Sequence, residues 1–238
     1  MNFIGVLFSR PTYVLILINV VLYLWQRTTG GLESNEGLLN HGALLGFAVT
    51  HYGQWWRIVT GGFLHGGDWH ILLNMVALLQ LGTAVEDEYG KTRFLLIYFL
   101  SLVGAGLAVV YAAPYDITVG ASGAIFGLFG AYLAFALRLG KRGRGMIMQV
   151  LPILAINLVF TFAVPSISKA GHVGGLIVGL LAGLVLFMMP ALRARELAYA
   201  YVDGAPSDYG VETIEHPPDA AAHEEAGAPP LEVRDPRE

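Results

Sequence analysis

Cysteine is absent from the 238 residues. That removes disulfides, thiolate metal sites and cysteine nucleophiles together. Charge is scarce as well: Asp, Glu, Lys and Arg make up 13% of the chain, about half of the quarter usual in soluble domains. None of these four residue types falls inside the long apolar stretches described below. A channel or transporter needs ionisable groups or paired broken helices at membrane depth, so their absence weighs against both. The net charge of −4 conceals an asymmetry. Residues 1–202 hold 12 Lys/Arg against 8 Asp/Glu, whereas residues 203–238 hold 2 against 10. The basic excess lies at the ends of apolar runs, which argues against a nucleic-acid partner.

Apolar side chains are what the chain has in abundance, 55% by the AVILMFWYC set. A soluble fold of this length has too little interior to hide them, so the lipid bilayer is the expected solvent. Six runs approach the roughly 20 residues that cross a hydrocarbon core: Thr12–Gln26, Trp69–Val85, Phe94–Ala113, Ala121–Leu137, Met146–Val164 and Gly171–Met189. The expected fold class is therefore an all-α polytopic membrane protein, a bundle of six transmembrane helices. The first run lacks a small-residue cleavage site and leads into Arg27, so it reads as a retained helix rather than a signal peptide. With the N-terminus in the cytoplasm, the inner segments hold nine Lys/Arg, and the outer ones only Arg27, Arg57 and Lys169. That is the bias expected of cytoplasmic loops, and it predicts an inner or plasma membrane protein with both termini cytoplasmic. The basic run Arg138–Arg144 reads as a topology anchor.

Three parts follow: a short N-terminus over 1–11, a membrane domain over 12–189, and an acidic tail over 190–238. Within the membrane domain, the outer loop over 27–68 carries Leu38, Leu39, Leu44, Leu45, Phe47, Trp55 and Trp56. These predict a structured segment at the membrane interface. The closing stretch from Asp203 holds few large apolar side chains and reads as disordered.

Polar side chains at membrane depth are costly and mark functional candidates. His70 and Asn74, four apart on the second run, share a helix face. Ser122 opens the fourth run within Gly120-Ala121-Ser122-Gly123, and His172 opens the sixth. With alternating spans, the starts of runs two, four and six lie at one membrane level. The sixth run repeats glycine at 171, 175, 179 and 183, and the fourth carries Gly123, Gly127 and Gly130. Such spacing lets helix backbones approach closely, which would bring the His172 ring to the Ser122 hydroxyl. A serine made nucleophilic by a neutral histidine is the chemistry of acyl transfer. No carboxylate lies near His172, so a Ser–His dyad is expected. The donors for an oxyanion are Asn74, His70 and the Ser122 N–H, and Phe126, one turn on, would pack against the imidazole.

These residues resemble the rhomboid intramembrane serine proteases. Trp56-Arg57 matches a Trp-Arg motif in the first loop, and His65, His70 and Asn74 match H-x4-H-x3-N. Gly120 to Gly123 matches G-x-S-G, and His172, Gly175 and Gly179 match H-x2-G-x3-G. The resemblance implies a six-helix rhomboid-like bundle with Ser122 as nucleophile, His172 as base and His70, Asn74 and the Ser122 amide around the oxyanion. It gives Glu86, with Gly90, a structural role, and it implies that the substrates are transmembrane segments of other membrane proteins, cut near the outer face without cofactor or metal. Phe126 stands where relatives often carry tyrosine. Catalytically inactive rhomboid-like chaperones, which bind such segments without cutting them, are the alternative; they lack the Ser–His pair. His65 reads as a structural hydrogen-bond former, Arg57 as a binder of loop carbonyls, Trp55 and Trp56 as interface anchors, and His41 and His51 as loop residues. A zinc site at His65, His70 and His172 is disfavoured, because the helical pair is His and Asn rather than two His.

Overall fold

The computed structural model describes residues 8–187. The expectations for residues 1–7 and for the tail from 188 onward, including the last two residues of the sixth run, lie outside the described residues. The first apolar run forms α1 (Pro11–Thr28), with proline at its first position, where the missing N–H costs nothing. The long segment that follows contains short elements of regular structure. It holds α2 (Asn35–Asn40), capped by the Ser34 hydroxyl accepting from Gly37 N–H, then β1 (Leu44–Leu45), α3 (Gly46–Tyr52) and α4 (Arg57–Thr60). Next come α5 (Asp68–Tyr89), α6 (Lys91–Ala112), β2 (Ile117–Thr118), α7 (Ser122–Arg138), α8 (Arg144–Ala163) and α9 (Lys169–Phe187). Each helix extends its apolar run by one to four residues at an end, because polar residues such as Asp68, Lys91 and Lys169 complete the terminal turns. Within α5, Leu78–Gly82 forms a π-helical turn, which the apolar pattern does not reveal.

Among the described residues, four helices are long and apolar enough to cross a membrane: α5, α6, α9, and α8 together with the short 3-10 turn before it. α7 is apolar but only 17 residues long, and α1 carries Asn19, Gln26 and Arg27 in its 18 residues. α7 lies at the centre, with Gly123 to Ala131 buried without a break, and it packs against α6 and α9. The contact with α9 depends on glycine. A Cβ on Gly175 would stand 2.0 Å from the Gly123 carbonyl oxygen, and one on Gly179 would stand 1.9 Å from that of Gly127.

Hydrogen bonds fasten the loop to the bundle at several points. β1 pairs antiparallel with β2, Leu44 opposite Thr118 and Leu45 opposite Ile117, which fixes the stretch leading into α7. The last turns of α1 grip the start of α5: Tyr23 donates to Asp68 (2.5 Å), Arg27 pairs with the same carboxylate, and Gln26 bonds both backbone groups of His65. At the far end of the bundle, Glu86 accepts from the Thr12 N–H (3.2 Å) and hydroxyl (2.7 Å), tying α5 to the start of α1.

Candidate active site

Ser122 is the first residue of α7, so its backbone N–H has no acceptor within the helix. The turn that delivers it passes through Gly120, whose φ of +120° suits glycine. A Cβ at Gly120 would also lie 2.7 Å from His70 Nε2, so the bare backbone is what admits the imidazole. Gly120 N–H donates to the Gly61 carbonyl (2.9 Å), anchoring the turn to the first loop.

The close crossing of α7 and α9 sets the distance between the two principal candidates. Ser122 Oγ lies 2.8 Å from His172 Nε2. Phe126 stacks on the His172 ring, with centroids 4.1 Å apart and planes at 18°. The opposite ring nitrogen, Nδ1, lies 2.8 Å from the hydroxyl of Thr161 on α8, and that hydroxyl donates to the Asn157 carbonyl at 2.7 Å. Thr161 is missing from the expected set. The sequence offers only a faint signal for it, since Gln149, Asn157 and Thr161 all interrupt the apolar run and nothing there singles out Thr161.

The side chains of α5 complete the cluster. Gly66 N–H donates to His70 Nδ1 (3.2 Å), so the proton of the neutral ring sits on Nε2, the nitrogen that faces Gly120. The Asn74 amide donates to the His70 carbonyl (2.8 Å), as i and i+4 positions allow. His70, Asn74, Ser122 and His172 all line one cavity of about 950 Å³, whose other walls include Leu73, Ile125, Phe126, Phe129, Phe160 and Val164. The arrangement offers a hydroxyl bonded to an imidazole, with N–H donors close by and apolar walls around them.

The remaining expected residues sit outside this cluster. His65 is fully buried, and its backbone bonds Gln26 through both N–H and carbonyl. Its ring packs edge-to-face against His70 at 5.1 Å and faces the Phe63 backbone. Burial, with a smaller contribution from His70, pushes its pKa down to about 3. Arg57 donates to the carbonyls of Leu39 and Ala43 (2.8 Å each) and lies over the Trp56 ring at 4.6 Å. Trp55 and Trp56 are half exposed. His41 bridges Gly37 and Thr29 in the loop, and His51 stacks on Phe47. Among the described residues no three His, Asp or Glu side chains converge as a metal site would require.

The description of a rhomboid domain matches residues 52–189, more than half of the chain. The chain belongs to the rhomboid family. Relatives that resemble it include the rhomboid protease GluP of Bacillus subtilis, 40% identical over 74% of this chain and 34% of its own length. The RHOMBOID-like protein 1 of Arabidopsis thaliana is 36% identical over 63% of this chain and 39% of its own. The rhomboid protease AarA of Providencia stuartii is 28% identical over 80% and 78%. This chain thus spans between a third and two fifths of the length of the first two and most of the third. Membership of the rhomboid family, with several long apolar helices, makes it a multi-pass membrane protein. The matched region contains Trp56, His65, His70, Asn74, Ser122 and His172, and so the whole of the cluster.

Proposed function

We propose that this rhomboid protein is an intramembrane serine endopeptidase, and that Ser122 and His172 carry the reaction. The observation that carries the reading is the 2.8 Å approach of Ser122 Oγ to His172 Nε2 at the wall of a large cavity. His172 takes the hydroxyl proton as Oγ attacks the scissile carbonyl carbon, and gives it to the leaving amine as the C–N bond breaks. Water then attacks the acyl ester by the same route, regenerating Ser122. Charge develops on the carbonyl oxygen at each attack. The His70 Nε2–H, the Asn74 amide and the Ser122 N–H are the donors proposed to receive it. Gly120, Gly123, Gly175 and Gly179 set the distances, and Phe126 holds the imidazole plane.

The substrates are transmembrane segments of other membrane proteins. A spanning helix hides its peptide bonds in its own hydrogen bonds, so a substrate must unwind locally to enter the cavity. In this reading α1 and α7 also cross the bilayer, which gives six spans over 12–189 with the cluster toward the outer face and both termini in the cytoplasm. α7 is short because Ser122 starts it below the surface.

The test is cleavage of a model transmembrane substrate in reconstituted vesicles. Wild type cuts, while Ser122→Ala and His172→Ala, purified as folded proteins, do not. Full activity in either variant would overturn the assignment. Binding without cutting by the wild type would point instead to a chaperone that holds such segments.

A further inference from the structure

The hydroxyl of Thr161 has one hydrogen and two close neighbours. The Asn157 carbonyl, at 2.7 Å, can only accept. If the hydrogen pointed elsewhere, two oxygen lone pairs would face each other at that distance. The hydrogen therefore goes to Asn157, and Thr161 Oγ1 presents a lone pair to His172 Nδ1 at 2.8 Å. That pairing needs a proton on Nδ1. In a neutral imidazole the other nitrogen, Nε2, then carries the lone pair that faces Ser122 Oγ. Thr161 is 1% exposed, so no solvent competes for its oxygen.

We propose that Thr161 is the positioning residue of the proton relay, a neutral hydroxyl doing what a carboxylate does in a triad. It holds His172 in the Nδ1–H tautomer and accepts from the imidazolium when the Ser122 proton arrives. This rests on the reading of Ser122 and His172 as nucleophile and base. Its consequence is that the base depends on three helices. Ser122 comes from α7 and His172 from α9, while α8 contributes through a narrow stripe of Val150, Leu154 and Thr161, the only residues it buries among those described. A threonine bonded to the carbonyl four residues back is common in helices and satisfies itself. What separates Thr161 from that ordinary case is the ring nitrogen on its free lone pair.

Two measurements test this. The first compares Thr161→Val, which keeps the shape, with Thr161→Ser, which keeps the hydroxyl, in cleavage of a reconstituted model substrate. The valine variant should lose about 10- to 100-fold in kcat, the scale of a hydrogen bond to a charged group, with KM unchanged. The serine variant should recover most of it. Wild-type kcat in Thr161→Val, or equal losses in the two variants, would overturn the proposal. The second needs no variant at this position: 15N spectra of histidine-labelled wild-type protein, with the His172 signals identified by their loss in His172→Ala. A protonated Nδ1 and bare Nε2 support the proposal, and the opposite tautomer overturns it even if Thr161→Val fails to fold. Ser122→Ala, run alongside, separates the failures. Activity there would sink the nucleophile assignment, whereas the tautomer and the Thr161 series report on Thr161 alone.

Discussion

The backbone of Gly175 passes so near that of Gly123 that a single added methyl carbon would sit 2.0 Å from the Gly123 carbonyl oxygen. No side chain can move aside to make room, since the obstacle is backbone. Gly175→Ala must therefore push α9 from α7 and separate His172 from Ser122. Expected is a clear drop in thermal midpoint in detergent and at least a tenfold loss of cleavage, given how steeply catalysis falls with about 1 Å of misplacement. Gly145→Ala, where a methyl carbon meets nothing within 4 Å, serves as the control and should match wild type. A Gly175→Ala protein as stable and active as that control would contradict the packing.

Gln26 holds both backbone groups of His65, accepting from its N–H at 2.9 Å and donating to its carbonyl at 3.2 Å. One residue further on, Gly66 N–H fixes the tautomer of His70. Gln26→Leu keeps the bulk and orphans both groups, each costing about 1–3 kcal/mol when buried. The thermal midpoint should fall by several degrees, and kcat should fall with it as His70 loses its fixed orientation. A variant with wild-type stability would show that the clamp contributes nothing.

Much of this was visible in the sequence, for identifiable reasons. The long helices declare themselves through run length, and the Ser122–His172 approach through glycines three or four apart on two runs. The π turn at Leu78–Gly82 could not be read, because its side chains are as apolar as those of the turns beside it. The β1–β2 pair escaped because two residues are too few to show alternation. Thr161 and Gln26 stay hidden in the sequence for a different reason. Each is a single uncharged polar residue, and only the partner that it meets across the fold, His172 Nδ1 or the His65 backbone, distinguishes it from a self-satisfied side chain.

The buried ring of His65 gives stability a dependence on acid. Its pKa lies at about 3 in the folded protein, against about 6.5 in an unfolded chain. Above pH 6.5 neither state binds the proton, and the ring makes no difference. Below it the unfolded chain gains a proton that the folded protein refuses, so stability falls as pH drops, by up to about 1.4 kcal/mol per unit. The thermal midpoint should decline between pH 7.5 and pH 5, and it should decline less in His65→Leu. Identical slopes in the two proteins would show that His65 is not the responsible group.

Glu86 fastens α5 to the first turn of α1 by accepting from both the N–H and the hydroxyl of Thr12. Glu86→Ala should cost about 1–3 kcal/mol, since it leaves buried donors without a partner, while the serine hydroxyl keeps its reactivity in the protein that remains folded. Measuring thermal midpoint and labelling rate on the same preparation separates the two effects. A variant of unchanged stability, or one that is folded yet unreactive, would contradict a purely structural role.

Labelling with a serine-directed fluorophosphonate asks about nucleophilicity without any knowledge of the natural substrate. Wild-type protein should take up the probe at one position, located by mass spectrometry at Ser122. Ser122→Ala should take up none, and His172→Ala only a small fraction of the wild-type rate. Labelling that persists in Ser122→Ala, or a folded wild type that never labels, would contradict the claim that this hydroxyl is activated by the His172 ring.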